Sequence, residues 1–161
     1  MDGEELRRRY AAGERNFAYL DLGGANISGS EPWNDIYIGA DLSRINLSGA
    51  NLHEANLAGA NLSGANLSNT NLTRARLTEC NLTGTNLSGA NLTSAEMTAV
   101  KLRDANLSGA NLFRAQIINT SLSNATLSGA KNLSTVNFEG TKVHNLTLED
   151  GTVIDLCDHD W

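Results

Sequence analysis

The stretch ANLAGANLSGANLSNTNL, residues 55–72, decides the fold. Its leucines, Leu57, Leu62, Leu67 and Leu72, recur every five residues. Five residues turn an α-helix through about 500°, so successive leucines would spiral round it. In a flat strand an odd period sends alternate leucines to opposite faces. Neither element buries them together. The small residue two places before each leucine does share its face on a short extended segment. The Ser-Gly or Ser-Asn that follows is turn chemistry. A short extended piece and a corner, repeated, make a coil with the leucines inside.

The pattern holds without a break from Leu42 to Leu127, eighteen central positions of which sixteen are leucine and two are Met97 and Ile117. Alanine stands two before the centre in twelve cases, asparagine one before it in eleven, and serine or threonine directly after it in thirteen. Ser-Gly pairs at 28, 48, 88, 108 and 128 fall on one 20-residue grid. Four repeats per turn follow, and so does a quadrilateral solenoid. Stacked at the ordinary strand spacing of about 4.8 Å, roughly six to seven coils would form a rod about 30 Å long. Each buried leucine contributes about 1.5–3 kcal/mol to its core.

This A-N-L-S-G pattern, strict from Ala40 to Gly129, resembles the pentapeptide repeat family over about four-fifths of the chain. The resemblance implies an all-β fold, a right-handed quadrilateral β-helix with the centre and the small residue facing inward. The leader LRRRYAAGERNF, residues 6–17, is similar to segments that open some cyanobacterial members, including a regulator of heterocyst differentiation. Some family members imitate duplex DNA and bind DNA gyrase, as acidic rods that are usually dimeric. Here the middle of the rod is neutral and no helical C-terminal dimerisation segment stands out, which argues for a monomer or weak dimer and against mimicry.

Three parts are expected: a capping helix and leader at 1–16, a β-helix at 17–156, and an acidic tail at 157–161. Asp2 and Glu5 form a variant of the capping box, and Leu6 and Tyr10 share a face, with Gly13 as the stop. The repeat is visible at Leu22 and Ile27 and turns irregular over 28–41. There Pro32 and Tyr37 fall on two centre slots, and Pro32, Trp33 and Tyr37 form a candidate recognition loop. A one-residue insertion near 128–132 shifts later centres to Leu133, Phe138, Val143, Leu148 and Val153.

The net charge of −6 is unevenly spread: −3 over residues 1–39, +1 over 40–129 and −4 over 130–161. A neutral middle is a poor surface for nucleic acid, whose affinity comes from basic phosphate contacts. No apolar stretch approaches the roughly 18 residues that cross a bilayer, and the charged leader lacks a signal peptide's apolar segment, so a cytoplasmic protein is expected. The interior offers aliphatic and small residues and Cys80, with no convergent catalytic constellation, so no enzyme, cofactor or metal site is expected. Cys157, Asp158, His159 and Asp160 are consecutive, a poor spacing for surrounding one ion. Cys80 and Cys157 would lie about 19 Å apart along the coils, too far for a disulfide.

Sorting outward residues onto four sides leaves one side of Asn and Ser almost featureless. Two adjoining sides bear His53, Arg74, Arg76, Phe113, Arg114 and Ile118. Phe113 and Ile118 occupy slots where Ser or Thr is the rule. Exposed Phe, Ile and Arg in one coil have the composition of a protein-interaction hot spot. Phe113, Arg114, Ile118, Arg74 and Arg76 are therefore the candidate patch for a protein partner in a scaffolding, regulatory role.

Overall fold

The structure, a computed structural model, describes residues 1–28, 39–148 and 150–156, the side chains of 154–156 excepted. The repeat winds into the right-handed quadrilateral β-helix that the resemblance implies. Four ladders of parallel single-residue bridges mark its sides, beginning at Asn16, Asp21, Asn26 and Asp41. Within the strict repeat, partners are twenty residues apart, as in Asn46↔Asn66↔Asn86↔Asn106.

One side of one coil shows how the pentapeptide achieves this. The N–H of the centre Leu67 donates to Asn86 O on the next coil at 2.7 Å, and Asn86 N–H returns a bond to Ala65 O at 3.0 Å. The corner closes with Ala90 N–H donating to Leu87 O at 3.0 Å. The third corner residue needs φ > 0, as in a type II turn, and Gly89 has φ 67°. Its N–H in turn donates to Ser108 O at 2.8 Å. Extended residue, centre and corner thus all bond between coils, and no backbone group has to face the leucine core.

Leucines and alanines fill that core, with buried Thr70, Thr85, Thr120 and Thr141 among them. These hydroxyls are satisfied: Thr85 Oγ1 donates to Leu62 O at 2.8 Å and Thr120 Oγ1 to Met97 O at 3.0 Å. Cys80 Sγ does the same to Leu57 O at 2.8 Å, and burial pushes its thiol up to about 12. A small polar residue is tolerated inside because a carbonyl is within reach, of the preceding coil for Thr85, Thr120 and Cys80 and of its own corner for Thr70, whose Oγ1 donates to Leu67 O at 2.7 Å.

Outside, asparagine repeats because its amide bonds in two directions. Ser68 N–H donates to Asn66 Oδ1 at 3.2 Å, and Asn66 Nδ2 donates to Asn46 Oδ1 at 3.2 Å. The ladder thereby runs along the rod. At its start an acceptor suffices, and Asp21 takes that place, accepting from Asn51 Nδ2 at 2.8 Å and Gly23 N–H at 3.2 Å. These bonds, that from Gly23 foremost, hold its carboxyl below the ordinary value.

Helix α1, Gly3–Ala11, covers the first coil. Asp2 caps it by accepting Glu5 N–H at 2.8 Å, but only half of a capping box forms, because the Glu5 carboxylate pairs with Arg8 instead. Leu6 is buried. Three donors from this region meet carbonyls of the coil's open edge: the amino terminus meets Asp21 O at 3.3 Å, Arg7 Nη1 meets Asn26 O at 3.0 Å, and Tyr10 Oη meets Ser43 O at 2.8 Å.

Two irregularities differ from the sequence reading. The first coil pairs with the second thirty residues on, as in Asn26↔Asn56, whereas Asp41↔Asn61 already keeps the twenty-residue register. Ala40 N–H donates to Ser28 O at 2.8 Å. The four centres of this coil are therefore Phe17, Leu22, Ile27 and Leu42. The extra residue near the other end lies between Lys131 and Asn137, where the register changes from twenty to twenty-one, at Asn132 (φ 64°) and the 3₁₀ turn Leu133–Thr135. Beyond it one more coil stacks through Ser121↔Lys142 and Thr126↔Thr147, and its last stretch, β1 (Val143–Thr147), pairs antiparallel with β2 (Val153–Leu156), where Val153 is exposed. Under this hairpin, Leu122, Leu127, Leu133, Phe138, Val143 and Leu146 line an apolar cavity of about 170 Å³.

Candidate protein-interaction surface

The residue after each centre points outward on a flat side, and the next one makes the corner. Phe113 and Arg114 occupy these two slots after Leu112. Phe113 is 37% exposed, and the Arg114 guanidinium carbon lies 5.1 Å from its ring centroid. Arg114 is held at the corner by its N–H, which donates to Thr135 Oγ1 of the next coil at 2.9 Å. Its φ of 56° shows how firmly neighbouring coils dictate the backbone, since an arginine gains nothing from that conformation.

Ile118 follows on the next side of the same coil and is half-buried. Its carbonyl accepts Ala99 N–H at 2.8 Å, as the carbonyl of Phe113 accepts Ser94 N–H at 2.8 Å. One coil therefore carries two apolar side chains and a cation across a corner. The arginines Arg74 and Arg76 are not part of that cluster. They lie two coils away by register, each beside a carboxylate: Arg74 Nη1 is 3.3 Å from Glu54, which His53 also approaches at 3.4 Å, and Arg76 Nε is 3.4 Å from Glu96. These exposed pairs neutralise one another locally and contribute little to stability.

Pro32, Trp33 and Tyr37 lie outside the described residues, as do Cys157, Asp158, His159 and Asp160. Among the described residues no group of His, Cys, Asp and Glu could hold a metal ion, and no helix is long and apolar enough to cross a membrane.

Sequence reasoning missed Tyr19. It is 83% exposed with φ 60°, at the corner slot after Phe17, and its ring lies against Gly49 of the next coil. The signal was present: Phe17 stands five residues before Leu22, so Tyr19 falls where the repeat elsewhere prefers glycine. The aromatic is thus an outlier in exposure, on a backbone that every corner shares.

The model of pentapeptide repeats matches in eight copies, over residues 38–74, 70–109, 92–129 and 100–150. No curated protein matches the chain. Among solved structures it is similar to HetL, a pentapeptide repeat protein involved in heterocyst differentiation regulation from the cyanobacterium Nostoc sp. strain PCC 7120. That likeness is 26% identical, covers 96% of this chain and 100% of HetL, and has a TM-score of 0.49. It is also similar to the pentapeptide repeat protein Rfr23 from the cyanobacterium Cyanothece 51142, at 26% identity over 90% of this chain and 99% of that one, with a TM-score of 0.43. With QnrB1, a plasmid-mediated fluoroquinolone resistance protein, identity is 18% over 81% of this chain and 80% of that one, and the TM-score is 0.32. With the family model spanning most of the repeat, the chain belongs to the pentapeptide repeat family.

Proposed function

We propose that this protein is a non-enzymatic cytoplasmic scaffold that holds a protein partner across the Phe113–Arg114–Ile118 coil, in a regulatory role. The observation that carries this reading is the Phe113 ring, exposed and faced by the Arg114 guanidinium, on a rod where thirteen of the eighteen equivalent slots are Ser or Thr. A rigid rod supports it, because its side chains are held by two neighbouring coils and lose little freedom on binding. An aromatic with an adjacent arginine is the composition of interface hot spots.

The test is affinity capture from the host lysate with the wild type beside a Phe113→Ser/Arg114→Ala/Ile118→Ser variant, circular dichroism confirming that both are folded. A specific partner held by the wild type is expected to lose at least tenfold in affinity to the variant when rebound in purified form, the loss expected for a hot spot worth 2 kcal/mol or more. Equal binding by both proteins overturns the reading. A supercoiling assay alongside distinguishes a DNA mimic: protection or inhibition of DNA gyrase would replace the scaffold with a topoisomerase partner.

A further inference from the structure

The side that opens with Asp41 changes character along the rod. Its bridges run Asp41, Asn61, Asn81, Lys101, Ser121, Lys142. Two residues on, inter-coil bonds align Ser43, Ser63, Thr83, Arg103, Ser123 and His144. Over the last three coils these two rows place Lys101, Arg103 and Lys142 around a pair of hydroxyls. Ser121 has Lys101 on one side and Lys142 on the other, each one coil away, about 5 Å along the rod. Ser123 lies likewise between Arg103 and His144.

The two serine oxygens are 3.1 Å apart and half-buried, whereas Lys101, Arg103 and Lys142 are exposed. One hydroxyl donates to the other, so one O–H of the pair is left to point at a ligand. The carboxylate at the edge, Asp104, is engaged by Arg103 Nε at 3.5 Å and by Asn124 Nδ2 at 2.9 Å. Among the described residues no ion pair involves Lys101 or Lys142. The corner that leads into this side carries Ala99, Asn119 and Gly140 over the same coils, all uncharged. Two lysines and an arginine on this side are offset in part by Asp104 and, across the β1–β2 pair, by Asp155, which the register sets opposite His144 and Asn145; a positive balance is left on a chain whose net charge is −6.

We propose that this block binds a dianionic phosphate group above Ser121. Two ammonium groups about 10 Å apart at the backbone converge on one point through flexible four-carbon stems, and each is a point-charge donor of the kind that binds phosphate. The free serine O–H meets a third oxygen, and the Arg103 guanidinium flanks the site. A carboxylate, with one charge and two oxygens, would leave one lysine unmatched. This inference concerns a different side from Phe113 and does not depend on it.

Inorganic phosphate and a phosphoserine peptide are each titrated into the full chain by calorimetry, with the same peptide carrying aspartate as a third ligand. Saturable binding of a phosphate-bearing ligand is expected. It should fall at least tenfold in Lys101→Met/Lys142→Met, fall severalfold in Ser121→Ala, and hold in Lys131→Met, which removes one lysine charge from another side. These are surface substitutions, and circular dichroism checks the fold. Binding of free phosphate as tightly as the peptide assigns the site to a small anion, and binding of the peptide alone assigns it to a phosphorylated protein. The proposal is overturned if neither binds, if Lys131→Met weakens binding as much as the double variant, or if the aspartate peptide binds equally well.

Discussion

At the scale of the residue, the third corner position shows what the coil demands of its sequence. Gly64, Gly84 and Gly109 adopt φ of 65–68° there. Glu54, Arg74, Ala99 and Arg114 adopt φ of 55–58° at the same position, against their intrinsic preference. The left-handed conformation costs an L-residue about 1–2 kcal/mol, partly offset because a side chain restricts the unfolded chain more than glycine does. Ala99→Gly, which removes only a methyl group from an outer corner, is therefore expected to stabilise the rod by up to about 1 kcal/mol. Urea unfolding followed by circular dichroism measures it, and a loss of stability would contradict the backbone argument. Glycine was legible at this slot as turn chemistry. That every other residue there shares its conformation was not, because the inter-coil N–H bond that enforces it joins residues nineteen apart, as in Ala99 N–H to Ile118 O.

At the scale of the element, the amide ladders and the helical cap each answer an edge problem. Asp21 begins its ladder as an acceptor, and its carboxyl is held below the ordinary value near 3.8. A depressed carboxyl contributes stability that is fully present above the unfolded value and lost as pH falls through the folded one. Wild-type stability should thus decline on acidification below about pH 4, and Asp21→Asn should decline less steeply over the same range. Thermal melts between pH 2 and pH 6 provide the comparison, with parallel curves counting against the ladder. In α1, a Cβ at Gly3 would overlap the carbonyl oxygen of Asn26. Gly3→Ala must lift the helix from the first coil and weaken the donors that reach Asp21, Asn26 and Ser43. The expected cost is about 1–3 kcal/mol, the range for forced overpacking, with faster amide exchange in the first coil than in the middle coils. The helix was legible from Asp2, Leu6, Tyr10 and Gly13. The donors' targets were not, since each lies on a different side of a coil that exists only after winding.

At the scale of the whole molecule, contacts between successive coils are nearly identical, so a period read along the chain becomes a position in space. The core was legible for this reason: once Leu57 and Leu62 are known to share an interior, so are all centres up to Leu127. The two places where the structure departs from the reading are those where the period fails. Ile27 and Leu42 are fifteen residues apart, a multiple of five, so the period alone does not show that they are centres of adjacent sides, and only the pairing of Asn26 with Asn56 and of Asp41 with Asn61 does. After Lys131 one added residue is taken up at Asn132 and the 3₁₀ turn that follows, one more coil stacks at a register of twenty-one, and its last strand enters the β1–β2 hairpin.

The candidate surfaces divide in the same way. The sequence by itself determined the solenoid, its four sides, its inward and outward positions and the anomaly of Phe113 and Ile118, because a repeat of five residues has one way to bury its leucines. Only the tertiary structure decided which charges are spent. It sets Arg74 against Glu54 and Arg76 against Glu96 while leaving Lys101 and Lys142 without ion pairs among the described residues. It also turns Tyr19 outward against Gly49. The physical reason is that charge pairing and exposure depend on neighbours one coil away. Those neighbours are twenty or more residues distant in the chain and meet only when the coils stack.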